Sequence, residues 1–173
     1  MTVSPPPIVY DKAKYHFGSV HGHGLPEIHA YIHTGMFVGW LIDNALLDEE
    51  FSEECEEDIQ RFLKREITAP QLFQLWDGAL VDDMLSDEGN AFADCYFNLQ
   101  SGDYIDEYIK TLCGALKSEF HVEDNWKNYN RIARVVSQGY RKWQRQQGAK
   151  PKGSPENAEI PAHGKKTWWQ FWK

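Results

Sequence analysis

Residues 25–47, LPEIHAYIHTGMFVGWLIDNALL, constrain the fold more than any other stretch of the chain. Pro26 stands where a first helical turn tolerates proline, and no further proline interrupts the next twenty or so residues. Ile28, Ile32, Met36 and Trp40 recur at four-residue spacing, and Tyr31, Phe37, Val38, Leu41, Ala45 and Leu46 fill much of the remaining circumference. A helix apolar nearly all round belongs inside a bundle. Gly35 and Gly39 lie one turn apart and form a smooth strip. Each costs about 1 kcal/mol relative to alanine in a helix, so the pair implies a neighbour that packs very close. A membrane span is the rival reading, since it needs about 20 mostly apolar residues. Glu27, His29, His33, Asp43 and Asn44 argue against it.

The remaining segments carry helix punctuation. Ser52 is a candidate N-cap for a helix whose first turns hold Glu53, Glu54, Glu56 and Glu57 and whose end holds Lys64 and Arg65, as the helix dipole favours. Thr68 caps a helix with Pro70 in its first turn, and Asp77-Gly78 closes it. Ser86 caps DEGNAFADCYFNLQ; Ser101, Gly102 and Asp103 make a turn and cap before YIDEYIKTLCGAL; Asp124 or Asn125 caps a last long helix ending at Gly148. Residues 1–24, with the glycine-rich FGSVHGHG, read as irregular. Nowhere is a period of two sustained, so few or no strands are expected. The fold class is all-α: a multi-helix bundle around a buried central helix over residues 8–148. Residues 149–173 read as a disordered linker ending in an aromatic-basic motif.

Charge is divided unevenly along the chain. Residues 1–130 hold 8 Lys and Arg against 24 Asp and Glu, a net of −16, whereas residues 131–173 hold 10 against 2. An acidic body repels nucleic acid and attracts basic proteins. Cys55, Cys95 and Cys113 are too widely spaced for a metal knuckle or an obvious disulfide framework, which suits reduced thiols in a cytoplasmic protein. No basic leader followed by an apolar run opens the sequence, so no secretory signal is expected.

Four segments in this order, YDKAKYHF, AYIHTGMFVGWLIDN, SDEGNAFADCYF and FHVEDNWKNYNRIA, resemble an uncharacterised family of small bacterial cytoplasmic proteins. The resemblance spans roughly residues 10–145, and HTGMF (residues 33–37) and EGNAFA (residues 88–93) are its most specific pieces. It brings no catalytic residues with it. Members look like immunity proteins of interbacterial toxin systems, which implies a cognate toxin as partner.

Three constellations bear on chemistry. His29 and His33, four apart, and a histidine of the HGHG loop offer up to three zinc ligands, but the glutamate of an H-E-x-x-H motif is missing. A hydrogen-bonded core His33 beside an exposed loop is the plainer reading, and no metal or cofactor is expected. Asp82, Asp83, Asp87 and Glu88, with Glu53, Glu54 and Glu57, are candidate partner contacts; helix capping and solvated charge compete with that role. Trp168, Trp169, Phe171 and Trp172, interleaved with lysines, suit a groove on a protein or a membrane interface. No nucleophile elbow, phosphate loop or dinucleotide fingerprint is present, so a non-catalytic chain is expected. The functional expectation is an immunity protein that occludes a cognate toxin without contacting nucleic acid. The alternative is an adaptor that uses the aromatic tail.

Overall fold

The computed structural model describes residues 6–149, and its centre is the helix α2, Ile32–Asp43. Every residue from position 32 to position 42 is buried, as a helix with no polar face requires. The glycine strip receives α5, Ala69–Leu75. A Cβ placed on Gly35 would stand 2.6 Å from the Pro70 Cα, and one on Gly39 would stand 2.6 Å from the Ala69 Cβ. Only glycine allows the two backbones to come this close.

The expected single helix over residues 26–47 is divided. Pro26 is extended, and Glu27–Tyr31 forms a 3-10 helix before α2 begins. At the other end, Leu46 N–H donates to the Leu41 carbonyl and Ala45 N–H to the Ile42 carbonyl, while Ala45 takes φ 54°. This is a Schellman stop with a non-glycine residue in the left-handed position. Leu47 then pairs with Leu85 in an isolated antiparallel bridge.

The acidic segment also begins earlier than its sequence suggests. Asp48, not Ser52, is the N-cap: its Oδ1 accepts from Glu50 N–H at 3.1 Å and Phe51 N–H at 3.3 Å. Ser52 is already inside α3, Glu49–Glu54, where its hydroxyl donates to the Asp48 carbonyl at 2.7 Å. A second short helix, α4, Glu56–Leu63, follows after Cys55.

Other caps fall where expected. Thr68 and Gln71 form a reciprocal capping box with Pro70 in the first turn, and Ser86 Oγ accepts from Gly89 N–H at 3.1 Å to start α6, Asp87–Tyr96. α7, Tyr104–Tyr108, runs into a π-helical turn, Ile109–Cys113. Asn125 Oδ1 accepts from Asn128 N–H at 2.9 Å at the head of α8, Trp126–Ala149. The fold is mostly helical around its buried central helix, in agreement with the expected class.

The N-terminal segment is more ordered than expected. Val9–Lys12 forms strand β1, Ala13–Tyr15 a 3-10 turn and Phe17–Gly22 the short helix α1. β1 pairs antiparallel with β2, Ala79–Val81, with Val9 opposite Val81 and Asp11 opposite Leu80. The register slips between these two pairs, an irregularity of the kind that redirects a side chain. Here Asp11, within an apolar run, lies buried.

The three thiols are free. Cys95 is exposed, Cys113 is buried, and Cys55 is half-buried at the joint of α3 and α4. Burial first, then the charges of Asp58 and Glu54, push the Cys55 thiol up to about 11. Its thiolate fraction near pH 8 is therefore about 100-fold below that of an ordinary thiol. Alkylation of folded protein followed by peptide mass spectrometry is expected to show Cys55 reacting about 100-fold more slowly than in urea. The rate should climb about tenfold per pH unit towards pH 11. Equal rates folded and unfolded would contradict this.

Candidate functional site

The two acidic segments that are distant in sequence meet in the fold. Asp48 N–H donates to the Met84 carbonyl, and Ser86 N–H and Oγ both donate to the Leu46 carbonyl. This stitching sets α3 against the 3-10 turn Asp82–Met84. Glu49, Glu50, Glu53, Glu54, Glu56 and Glu57 are exposed on α3 and α4, and Asp83, Asp87 and Glu88 are exposed beside the joint.

A groove of about 600 Å³ opens beside α3 and α4. Ile42, Ala45, Leu47 and Ile59 contribute apolar surface to it, Glu49, Glu53 and Glu56 contribute acid, and its lining contains no Lys or Arg. Of the expected contacts, Glu53 lines the groove, while Glu54 and Glu57 lie outside its lining. Glu56, from the same run of glutamates, also lines the groove, and Glu49 joins it although sequence reasoning did not select it. An acidic residue at each turn of a short helix was the available signal.

The second acidic group is partly occupied by the fold itself. Asp82 Oδ1 accepts from Ile8 N–H at 2.9 Å and Asp83 N–H at 3.1 Å, closing the end of the small sheet. Glu88 Oε1 accepts from the Tyr140 hydroxyl at 2.5 Å and Gln144 Nε2 at 3.3 Å, so it ties α6 to α8. Burial, and then this bond to Glu88, push the Tyr140 hydroxyl up to about 12. Trp168, Trp169, Phe171 and Trp172 lie outside the described residues.

The histidines are arranged differently from the expected trio. His29 ends up on the 3-10 turn before α2, so it does not share with His33 the single α-helical face that the i, i+4 spacing implies. Its Nδ1 meets the Phe120 carbonyl at 2.6 Å. His21 pairs with Glu27 at 3.4 Å, and His23 packs against His121. His33 is buried, as the plainer reading held, but it faces two residues from the segment expected to be irregular.

Asp11, His16 and His33 form this buried centre, supplied by β1, the turn after Tyr15, and α2. His16 Nε2 lies 2.8 Å from Asp11 Oδ1, and His33 Nε2 lies 3.5 Å from Asp11 Oδ2. Thr34 Oγ1 donates to Asp11 Oδ2 at 2.5 Å. The imidazoles meet edge to face with ring centroids 4.6 Å apart, and Phe120 flanks both. Burial alone would raise the Asp11 carboxyl. Hydrogen bonds from His16 and His33, with their charge, outweigh it and hold the group well below the usual carboxylate range. The sequence signal for this centre was faint: a lone acid in IVYDKAKYHF, the only one before Glu27.

Fold and surface together define a mostly helical domain with an acidic, apolar-floored groove and a separate buried Asp-His-His centre. Residues 9–122 match the family described as Domain of unknown function (DUF7832), and the chain belongs to it. No curated protein and no solved structure matches the chain. Among the described residues, no helix is long and apolar enough to cross a membrane.

Proposed function

We propose that this chain is a protein-binding inhibitor, an immunity protein that neutralises a cognate bacterial toxin by occlusion. The observation that carries the reading is the groove beside α3 and α4. Its apolar surface suits the aliphatic stem of a lysine or arginine, and its glutamates suit the charged head. A toxin acting on nucleic acid needs a basic surface for its phosphate substrate, and an acidic partner of matching shape can cover that surface. Complementary charge of this kind speeds encounter and rejects wrong partners more than it sets affinity. The family resemblance in HTGMF and EGNAFA supplies the class of partner.

The test is a triple charge reversal, Glu49→Lys/Glu53→Lys/Glu56→Lys, expressed with the product of the adjacent gene. All three residues are exposed, so circular dichroism should match the unaltered chain. The unaltered chain should protect cells from a toxic neighbour and co-purify with it at a fixed ratio. The variant should lose protection, with an association rate reduced roughly tenfold or more at low salt and by less at high salt. A harmless neighbour, or undiminished protection by the variant, would reject the proposal.

A further inference from the structure

We infer that Asp11, His16 and His33 form a binding site for a divalent transition-metal ion, with zinc the best match. This site is separate from the acidic groove and does not depend on the function proposed for it.

Three observations point to an ion. The first is spacing. Ligand atoms bound to a tetrahedral zinc at its usual nitrogen and oxygen distances stand about 3.3 Å from one another. His16 Nε2 stands 2.8 Å from Asp11 Oδ1 and His33 Nε2 stands 3.5 Å from Asp11 Oδ2, so each imidazole lies near that distance from one of the two carboxylate oxygens. All three ligand atoms lie within 4.8 Å of one another, so small side-chain adjustments bring them onto one centre.

The second is charge. The Asp11 side chain is 0% exposed, so its carboxylate carries its charge out of water, where a counter-charge or a coordinated cation must offset the lost solvation. A dication bound at this point would offset the buried carboxylate charge by direct coordination. Two imidazole nitrogens and one carboxylate oxygen are the donor set that zinc takes with one position left for water.

The third is the surrounding shell. Thr34 Oγ1 already orients the carboxylate through Oδ2, the role played by outer-shell donors around metal ligands. Phe120 packs against both imidazole rings, while the 20% exposed side chain of His16 leaves one edge through which an ion and its water can arrive. An occupied site would pin the N-terminal strand and turn directly to the central helix.

The experiment uses the full chain, stripped with a chelator, dialysed, and titrated with zinc chloride by calorimetry, then with cobalt(II) chloride by visible absorption. The expected result is one zinc per chain, a raised melting temperature, and the intense cobalt bands of tetrahedral coordination. His16→Ala, at the partly exposed ligand, should weaken zinc binding by about 100-fold or more while leaving the metal-free circular dichroism unchanged. His21→Ala/His23→Ala, which removes exposed histidines, should leave binding intact. Absence of stoichiometric binding overturns the site, and so does binding that survives His16→Ala but disappears in His21→Ala/His23→Ala. Should His16→Ala fail to fold, the cobalt spectrum of the unaltered chain decides: weak octahedral bands reject the site and intense tetrahedral bands support it.

Discussion

Truncating Phe37 to alanine is expected to lower the unfolding free energy by about 3–5 kcal/mol, near the upper end of what one core side chain contributes. Phe37 is 0% exposed in the middle of α2. Its ring lies 4.7 Å from Phe97, 5.1 Å from Tyr104 and 6.0 Å from Trp40, centroid to centroid. These neighbours cannot close over the gap cheaply. Tyr104 is tied through its hydroxyl to the His33 carbonyl at 2.5 Å, and Trp40 Nε1 donates to Ser137 Oγ at 2.9 Å. On its other side α2 is held by the backbone contact of Gly35 with Pro70. A cavity that cannot relax adds its own cost to the lost transfer energy. For a domain of this size the change corresponds to roughly 10 °C or more in melting temperature. Leu75→Ala supplies the comparison: Leu75 is 54% exposed, and its truncation should stay within about 0.5 kcal/mol. Urea denaturation of both variants checks the contrast. A Phe37→Ala loss below about 1 kcal/mol would mean that the ring cluster repacks.

What the sequence made legible follows from how local each determinant is. Burial of residues 32–42 could be read because an all-round apolar helix has no alternative environment in water. The Thr68 and Ser86 caps could be read because a side chain and an amide three residues on settle them. The choice of Asp48 over Ser52 could not, since both can cap. Asp48 prevails because its amide is already fixed to the Met84 carbonyl, a contact 36 residues away. The 3-10 turn before α2 escaped for a similar reason: the His29 contact with Phe120 spans 91 residues. Strands of four and three residues are too short to show alternation. The Asp-His-His centre depends on an irregular strand register and a tight turn, neither of which has a compositional signature. Candidate acids on α3 and α4 were visible as charge, whereas the groove between them appears only when the end of α2 supplies Ile42 and Ala45.

Replacing Asp11 by alanine in chelator-treated protein should cost about 3–5 kcal/mol, comparable to the loss of Phe37 although the side chain is far smaller. The reason is the partners left behind. Thr34 is 0% exposed and His33 is 4% exposed, and Asp11 Oδ2 faces both, at 2.5 Å and 3.5 Å. Removing the acceptor strands these buried donors away from water, and each stranded group adds its desolvation cost. The same asymmetry makes a second expectation. The triple replacement Asp11→Leu/His33→Leu/Thr34→Val removes the acceptor together with its buried donors, and it should recover most of the loss, to within about 1–2 kcal/mol of the unaltered chain. Hydrogen exchange separates a local effect from a global one. In Asp11→Ala the amides of β1 should exchange faster than those of α2, because the carboxylate is the polar link between that strand and the central helix. A single replacement no costlier than the triple one would show that β1 is held by its pairing with β2 and by its apolar neighbours, with the buried network contributing nothing to its attachment.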